Sequence, residues 1–327
     1  MMESKVNKPA GHTSVKVAVV QTAPILFDRE ATVAKASLLI DKAASQGAQL
    51  VLFPEALIPA YPRGLSFGMV VGSRKPEGRK LWQRYWDAAV EIPSPATEAL
   101  GAAVRRAGVH MAIGIIERDA QFSGGTLYCT LLYFGPQGNI IGVHRKLQPT
   151  AAERLIWGQG DGSTLTVIPT ELGKIGGLIC WENYMPMARM AIYAKGVQIY
   201  LAPTADSRDT WQATLRHIAC EGRCFVLGCN QFMTKDMYPA PFKDHPELAE
   251  QPEIMSRGGS AIISPLGDVL AGPLYDQEGI LYADLDMSEI TRAKIDFDVV
   301  GHYARPDVFQ LIVNEDAALP VQRKLSK

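Results

Sequence analysis

The chain has 327 residues, of which 47% are hydrophobic and 20% are charged, a composition that is ordinary for globular proteins. With a formal net charge of -1 it lacks the overall basic field that attracts nucleic acid, so no nucleic-acid partner is expected. The first fourteen residues are polar and lack the apolar centre of a secretory signal, and no apolar run approaches the ~20 residues that span a bilayer. Five cysteines, an odd number without regular spacing, are typical of a reducing compartment. We therefore expect a cytoplasmic protein that has no membrane partner.

The first half of the chain alternates predicted strands and helices. β-branched residues predict a buried strand at Val15–Gln21, and apolar residues at helical spacing predict a helix over Ala31–Ala48. "QLVLFPE" is a second strand, which Pro54 stops because proline cannot continue the ladder. Prolines and glycines make "IPAYPRGLSFG" a loop. The pattern then predicts helices at Lys80–Val90 and Thr97–Ala107 and a strand in "VHMAIGIIER".

Two β-hairpins are predicted in the second half. Apolar runs flank "GPQGN" in "TLYCTLLYFGPQGNIIGVHRK", and the same arrangement recurs around "SPLGD" in "SAIISPLGDVLAG". Met233–Arg257 is rich in proline and charge and is predicted to be a surface loop, and the chain after Asp286 is weakly patterned. The remaining predicted elements are the strands Leu165–Ile168 and Lys174–Ile179, the helix Met187–Lys195, the strand Val197–Leu201, the helix Thr210–Gly222 and the strand Phe225–Asn230.

No linker or repeat divides the chain, which favours a single α/β domain with layered helices and a mixed parallel and antiparallel sheet. Apolar strands of this kind need helices that cover them. Residues 1–14 are predicted to be a flexible tail and residues 15–310 a single domain. Residues 311–327 form a predicted C-terminal tail that could lie at a subunit interface.

Four ionisable side chains lie close to predicted strand ends. Glu55 follows "LVLFP", Lys146 follows "IIGVHR" and Cys180 follows "IGGLI". Glu153 comes shortly after the lysine, in "KLQPTAAERLIWGQGDG". Because active sites in open α/β sheets gather at strand ends, these four side chains could converge.

The chemistry of such a set is coherent. A thiol is a poor nucleophile until it loses its proton, and a nearby carboxylate can accept that proton as a general base. A lysine can stabilise the thiolate and then the negative charge that develops on the attacked atom. A second carboxylate can position the lysine or orient water. This chemistry needs no metal, no cofactor and no histidine.

Each of these residues also has a structural interpretation. A cysteine near a strand end is often a buried structural thiol, and Glu55 could cap a helix or lie on the surface. "HRK" could be a solvated basic turn, and Glu153 could pair with a neighbouring base on the surface. Cys220, Cys224 and Cys229 lack the spacing and the paired histidines of a zinc site, so they are interpreted as core residues. Spacing alone leaves these alternatives open.

Five blocks, in order along the chain, resemble the carbon–nitrogen hydrolase superfamily, and specifically its nitrilase branch. They are "LVLFPEALIPAYPRG", "HRKLQPTAAERLIWGQGDGS", "GGLICWENYMPMAR", "WQATLRHIACEGRCFVLGCNQ" and "SRGGSAIISPLGDVLAGP". Cysteine followed by Trp-Glu-Asn is similar to true nitrilases, whereas relatives that act on amides more often carry other residues there. The resemblance covers nearly the whole chain, from Val15 to Gln310.

The resemblance implies a role for each of the four side chains. Glu55 matches the family's general base, Lys146 its catalytic lysine and Cys180 its nucleophile. Glu153 matches the second glutamate, which supports the lysine and the water. The backbone amide of Trp181 is implied as an oxyanion donor beside the lysine.

The resemblance also implies a fold, a reaction and an assembly. The implied fold is a four-layer α-β-β-α sandwich with mixed sheets. The implied reaction hydrolyses a small-molecule nitrile with two waters to the carboxylic acid and ammonia, through a covalent thioimidate and thioester. Subunits pair into a homodimer, which nitrilases often extend to a higher homo-oligomer or spiral. Many nitrilases carry a longer tail than "VNEDAALPVQRKLSK", so the spiral state stays open.

Tyr61 and Trp181, with Arg63 nearby, are expected to shape the pocket, which would suit aryl, arylacetonitrile or medium aliphatic nitriles. Two alternatives within the superfamily are an amidase or carbamoylase, and a nitrile- or cyanide-hydrating enzyme that stops at the amide. A papain-like hydrolase would need a histidine partner, for which His144 and His217 are candidates. The last alternative is a non-catalytic, filament-forming scaffold, although such a role requires none of the four ionisable residues.

Overall fold

The structure, a computed structural model, describes residues 14–122, 124–243 and 245–321. Of the predicted N-terminal tail, residues 1–13 lie outside the described residues, and Ser14 is already the first residue of a strand. Residues 322–327 of the predicted C-terminal tail also lie outside them. Within the described ranges, no helix has both the length and the apolar character needed to cross a membrane.

The described residues form strands and helices that alternate along much of the chain. The strands are β1 (Ser14–Gln21), β2 (Leu50–Leu52), β3 (Met69–Val70), β4 (Ser73–Arg74), β5 (His110–Arg118), β6 (Leu127–Phe134), β7 (Ile140–Arg145), β8 (Val167–Thr170), β9 (Gly173–Gly177), β10 (Ile199–Pro203), β11 (Phe225–Cys229), β12 (Phe232–Thr234), β13 (Ile254–Ile263), β14 (Val269–Tyr275) and β15 (Gly279–Asp286). The α-helices are α1 (Arg29–Ser45), α2 (Pro76–Ala88), α3 (Pro95–Ala107), α4 (Pro186–Ala194), α5 (Asp209–Gly222), α6 (Ala240–Lys243), α7 (Pro246–Ala249) and α8 (Ser288–Ala293).

Two large sheets contain nearly all of these strands. The first has the order β15-β1-β2-β5-β6-β7, and the second has the order β12-β13-β11-β10-β9-β8, with β14 paired to β13. In the first sheet β1, β2 and β5 are parallel, and in the second β9, β10 and β11 are parallel. Antiparallel strands flank both parallel centres. The predicted mixed pairing is therefore confirmed.

The alternation of side chains along β1 shows how the layers stack. Val15, Val17 and Val19 lie in one buried cluster with Ile199 and Leu201 of β10, which places the two sheets face to face. The intervening residues of β1 pack against α1 and α3 on the outer face of the first sheet. Helices α4 and α5 cover the outer face of the second sheet. The fold is thus the expected four-layer α-β-β-α sandwich.

Local signals account for several element boundaries. Both predicted hairpins are present, and their turn glycines, Gly138 and Gly267, adopt φ values of 80° and 90°. Helix α1 begins earlier than predicted because the Asp28 carboxylate caps it by accepting the N–H of Ala31 at 2.9 Å. The other predicted elements are present with ends displaced by a few residues, and the weakly patterned chain after Asp286 contains α8.

The prediction that Met233–Arg257 is a surface loop is wrong. This segment contains α6, α7 and the start of β13, and it buries Tyr238, Phe242 and Leu248. The ring of Phe242 stacks on Phe27, with centroids 4.6 Å apart. The prolines and charged residues reflect only the exposed side of the segment. Its aromatic side chains are buried because they pack against Phe27, which lies near the start of the chain.

Candidate active site

Cys180 does not lie in the strand that precedes it. β9 ends at Gly177, earlier than predicted, and Cys180–Tyr184 forms a short 3₁₀ helix. The chain runs so close to β10 that a Cβ on Gly177 would lie 1.9 Å from the carbonyl oxygen of Leu201. Cys180 has a φ of 52°, in the left-handed region that residues other than glycine rarely adopt. This turn places the thiol beside the hydroxyl of Thr204, which donates a hydrogen bond to Sγ at 3.1 Å.

Glu55 lies beside β5, and the lack of a side chain at Gly114 of that strand allows the main chain at Glu55 to pack closely against β5. A Cβ on Gly114 of β5 would lie 2.3 Å from the carbonyl oxygen of Pro54 and 2.7 Å from the Cα of Glu55. That carbonyl instead accepts the N–H of Gly114 at 3.1 Å. The side-chain amide of Gln231 donates to the backbone carbonyl of Glu55 at 2.8 Å. These contacts hold the Glu55 carboxylate in a fully buried position.

Lys146 bridges the two glutamates. It directly follows β7 and is fully buried. Its Nζ donates to Oε1 of Glu55 at 2.7 Å and to Oε2 of Glu153 at 2.8 Å. The carboxylate of Glu55 also lies within hydrogen-bonding reach of the Cys180 thiol. The structure therefore brings together all four ionisable side chains that the sequence singles out.

Glu153 lies in a short 3₁₀ helix, and its carboxylate accepts hydrogen bonds from three donors. Its Oε2 accepts the backbone N–H of Thr150 at 2.7 Å in addition to the lysine, and its Oε1 accepts the hydroxyl of Tyr61 at 2.7 Å. The ring of Tyr61 packs edge-to-face on Trp157, with centroids 5.6 Å apart. Both carboxylate oxygens are thus occupied, which suits Glu153 to hold the lysine in place.

Burial governs the protonation of these groups. Burial, with the nearby charge of Glu55, raises the pKa of the Cys180 thiol to about 12. Burial also raises the pKa of Glu55, against the attraction of Lys146. Although burial alone would lower the pKa of Lys146, the charge of Glu55 holds it well above the usual value. At neutral pH the thiol is therefore protonated and the ammonium charged, so the thiol needs a proton acceptor when it attacks.

A cavity of about 230 Å³ opens onto the thiol, and the predicted pocket residues Tyr61 and Trp181 both line it. The indole N–H of Trp181 donates to the carboxylate of Asp206 at 2.8 Å, and Arg208 pairs with the same carboxylate at 2.5 Å. Among the described residues, no acceptor is bonded to the backbone N–H of Trp181, which leaves this amide available to a ligand. A larger cavity, of about 490 Å³, lies between α1 and the start of α3 and shares no lining residue with the first.

The two histidines that a papain-like enzyme would use are engaged elsewhere. Nδ1 of His144 donates to the carbonyl oxygen of Thr164 at 2.8 Å, and its Nε2 lies 3.0 Å from Oε2 of Glu182. His217 is largely exposed and lies 3.5 Å from Glu221. Within the part of the chain that the structure describes, neither imidazole is bonded to a cysteine. A carboxylate, not an imidazole, lies beside the thiol.

The remaining cysteines lie in or near the core. Cys224 and Cys229 are buried and Cys220 is half-buried. Burial raises the pKa of Cys224 to about 12 and that of Cys229 well above its usual value, which makes both thiols poor nucleophiles. Over residues 14–122, 124–243 and 245–321, no cluster of three or more histidine, cysteine or acidic side chains could hold a metal ion.

Three side chains that contact the site escape the sequence analysis. Thr204 donates to the sulfur of Cys180, Gln231 holds the backbone of Glu55, and Sγ of Cys129 lies 3.5 Å from Oε1 of Glu55. Thr204 directly follows β10, and Gln231 comes shortly after β11. The strand-end rule that pointed to the cysteine would have found both residues if it were applied to every strand.

Comparison with known proteins places the chain among enzymes that act on carbon–nitrogen bonds. The sequence model of the carbon-nitrogen hydrolase family matches residues 16–295. A bifunctional nitrilase/nitrile hydratase of Lupinus angustifolius is 51% identical over 324 residues, which cover 98% of this chain and 90% of that protein. A nitrilase of Bradyrhizobium diazoefficiens is 52% identical over 316 residues, covering 96% and 95% of the two chains. An aliphatic nitrilase of Sinorhizobium fredii is 52% identical over 305 residues, covering 93% and 97%.

Solved structures show the same fold. The carbon-nitrogen hydrolase of Helicobacter pylori superposes with a TM-score of 0.70 at 21% identity, covering 91% of this chain and 97% of that one. Saccharomyces cerevisiae Nit3, a member of the nitrilase superfamily, superposes with a TM-score of 0.68 at 20% identity, covering 90% and 97%. The family match spans most of the chain, and relatives sharing half of its residues are named nitrilases. The chain therefore belongs to the carbon–nitrogen hydrolase family and, within it, to the nitrilase branch.

Proposed function

We propose that the protein is a nitrilase, which hydrolyses an organic nitrile with two waters to the carboxylic acid and ammonia. The observation that carries this proposal is the buried cluster of Glu55, Lys146 and Glu153 beside the thiol of Cys180. Relatives named nitrilases, at 51% and 52% identity over nearly the whole chain, support it. In this proposal the four side chains have the roles that the family resemblance implies.

In the first half-reaction, Sγ of Cys180 attacks the nitrile carbon. Glu55 accepts the thiol proton as the S–C bond forms, and then passes a proton to the nitrile nitrogen as the first π bond breaks. The product is a covalent thioimidate. The ammonium of Lys146 and the backbone N–H of Trp181 stabilise the negative charge that develops on the nitrogen.

In the second half-reaction, Glu55 takes a proton from water, whose oxygen adds to the thioimidate carbon. Glu55 passes that proton to the nitrogen, which gives a tetrahedral intermediate with one hydroxyl and one amino group. Glu55 then relays the hydroxyl proton to the amino group as the C–N bond breaks, so that ammonia leaves and a thioester carbonyl forms. A second water, activated in the same way, adds to the thioester carbonyl, and the C–S bond breaks to release the carboxylic acid and return the proton to Cys180. Glu153 keeps Lys146 charged and in place throughout.

Release of the amide is a second possible outcome of the reaction, and the names of several relatives support it. Several are named bifunctional nitrilase/nitrile hydratase. If the first tetrahedral intermediate expels the Cys180 thiol in place of ammonia, the amide leaves after one water has been added. The acid-to-amide ratio then depends on whether nitrogen or sulfur receives the proton that Glu55 relays from the hydroxyl of the intermediate.

The pocket favours compact substrates. Its volume of about 230 Å³ lies below the roughly 300–1,000 Å³ of common small-molecule sites. Tyr61 and Trp181 supply aromatic walls, as their sequence context predicts, whereas Asp206 and Arg208 add a charged edge that no sequence motif indicates. Small aryl or medium aliphatic nitriles fit this combination.

The irregularly spaced, odd number of cysteines supports the proposal that the protein works in the cytoplasm. The C-terminal segment supports the proposal that its active unit is a homodimer or a larger homo-oligomer. Apolar side chains that a monomer would normally bury are exposed there, with Phe309 77% and Ile312 89% exposed. They lie at the boundary of the predicted tail, residues 311–327. A second copy of the chain that covers them would bury this apolar surface.

A panel of aryl and aliphatic nitriles, read out together for ammonia, acid and amide, tests the proposed function. We expect ammonia and acid in equal amounts from at least one compact nitrile, with the amide as a minor product. The matching amides serve as control substrates. Faster ammonia release from the amide than from its nitrile would identify the protein as an amidase, and amide as the main product would identify a hydratase.

The rate should fall on the acid side at an unusually high pH. Glu55 must be ionised to accept the thiol proton, and its burial raises its pKa above the usual 4.5. As the pH decreases through that raised pKa, kcat/KM should decline, so the acid limb should lie above pH 4.5. Measuring kcat/KM over a pH series tests this. A rate that instead climbs steadily towards the thiol pKa of about 12 would show that no base assists the attack.

A further inference from the structure

Glu182 connects the two segments that carry Lys146 and Cys180. Its carboxylate is fully buried. Oε1 accepts the backbone N–H of Leu147 at 2.6 Å, and Oε2 accepts the backbone N–H of Ile179 at 2.7 Å. Leu147 directly follows the lysine and Ile179 directly precedes the cysteine. One carboxylate therefore holds the main chain next to both groups.

His144 also contacts this carboxylate. Its Nε2 lies 3.0 Å from Oε2 of Glu182, and its Nδ1 lies 2.8 Å from the carbonyl oxygen of Thr164. Because a carbonyl and a carboxylate both act as acceptors, both ring nitrogens carry protons and the imidazole is charged. Burial alone would lower the pKa of His144, but Glu182 raises it overall.

We propose that Glu182, held by His144, positions the reacting groups of the nitrile hydrolysis, an inference that rests on the function proposed above. Trp181 lies between Cys180 and Glu182, so the same contacts set the direction of the backbone N–H that receives the developing negative charge. A misplacement of about 1 Å in such a site can lower the rate about 100-fold. Among the described residues, the hydrogen bonds of the Glu182 carboxylate go to two backbone N–H groups and one imidazole, so Glu182 is a positioning residue and not a catalytic one.

A purely stabilising role is the alternative, and a second buried histidine provides the matched comparison. Nε2 of His110 lies 2.9 Å from Oε1 of Glu171, between the start of β5 and the turn that joins β8 to β9. A buried ion pair is weak evidence for stability, because apolar residues can often replace it without loss. What distinguishes Glu182 is that it bonds to the main chain of both catalytic segments.

The test uses four variants of the full chain. Glu182→Gln keeps the size of the side chain but leaves one backbone N–H without an acceptor. His144→Gln keeps a donor towards the carboxylate, whereas His144→Leu removes it. His110→Gln is the control at the comparison pair. For each variant, kcat and KM for a nitrile are measured per mole of Cys180 that iodoacetamide can alkylate, and the rate of that alkylation is followed by mass spectrometry of the peptide.

We expect Glu182→Gln to lower kcat about 100-fold with KM changed by less than about threefold, and to slow alkylation of the thiol. His144→Gln should retain at least about ten times the kcat of His144→Leu, since it keeps the hydrogen bond. His110→Gln should match the wild type. The positioning role would be overturned if Glu182→Gln had a normal kcat per reactive thiol. It would also be overturned if the His110 and His144 variants lost kcat equally. If the wild type hydrolyses no nitrile but the alkylation rates still follow this order, the proposed function fails and the positioning of the thiol stands.

Discussion

Nitrile turnover should disappear in the Cys180→Ala variant while the fold survives. The variant removes the only atom that forms a covalent bond to the substrate in the proposed mechanism, and loss of a nucleophile commonly lowers kcat by about a millionfold. The side chain is small, and alanine keeps the same left-handed backbone as Cys180, so thermal stability should change little. Ammonia release from a nitrile, measured beside a thermal melt, tests both expectations.

Cys224→Ala is the matched control for that experiment. Cys224 is also fully buried and also has a raised pKa, but it packs among the residues that α4 and α5 bury, on the outer face of the second sheet. Its replacement should leave kcat unchanged. Turnover that persists in Cys180→Ala would refute the nucleophile assignment, whereas an equal loss in Cys224→Ala would show that buried thiols support the fold rather than the reaction.

Replacing Lys146 by methionine should cost both activity and stability. Methionine has a similar length but no charge, so Glu55 and Glu153 would face each other in the interior without a cation. Removing one partner of a buried ionic group typically destabilises a protein by about 3–5 kcal/mol. Turnover should be lost as well, because Glu55 would retain a proton and the negative charge on the substrate nitrogen would lose its partner. Urea denaturation and an ammonia assay measure the two effects.

The pH dependence of this destabilisation has a definite sign. In Lys146→Met the folded-state pKa of Glu55 rises further above its unfolded value, since the attraction that lowers it has gone. A carboxyl group with a raised folded-state pKa favours the folded protein at low pH and loses that contribution as the pH rises. The difference in unfolding free energy from the wild type should therefore grow from acidic to neutral pH.

The double variant Lys146→Met/Glu153→Gln separates charge from packing. Removing one of the two facing carboxylates should restore much of the lost stability without restoring turnover, because Glu55 would no longer have a like charge beside it. If the double variant is as unstable as Lys146→Met alone, then lost packing around the lysine side chain, and not the uncompensated carboxylates, explains the destabilisation.

Much of the architecture follows from local patterns in the sequence. β-branched apolar runs predict the strands at the centre of each sheet, since such side chains fit a pleated, buried surface. The two hairpins follow from glycines that the turns require at positive φ. Ionisable residues that directly follow apolar runs indicate where an active site could form. Glu55, Lys146 and Cys180 are such residues.

Local patterns fail where distant segments decide burial. The composition of Met233–Arg257 predicts a charged loop, yet Tyr238 and Phe242 are buried because Phe27, which itself packs against Tyr85, contacts both of their rings. Hydrophobic burial depends on which surfaces meet in space, and proline and charge content carries no information about that contact.

The sequence by itself determined the layered α/β fold, the approximate positions of the strands and the four ionisable residues, because these depend on spacing and on residue type. Only the tertiary structure decided that Nζ of Lys146 lies between Glu55 and Glu153, residues that are far apart along the chain. It also decided that the thiol pKa rises to about 12 and that Glu182 bonds to both catalytic segments. Desolvation and hydrogen bonding act through distances between atoms, and those distances exist only once the two sheets have packed together.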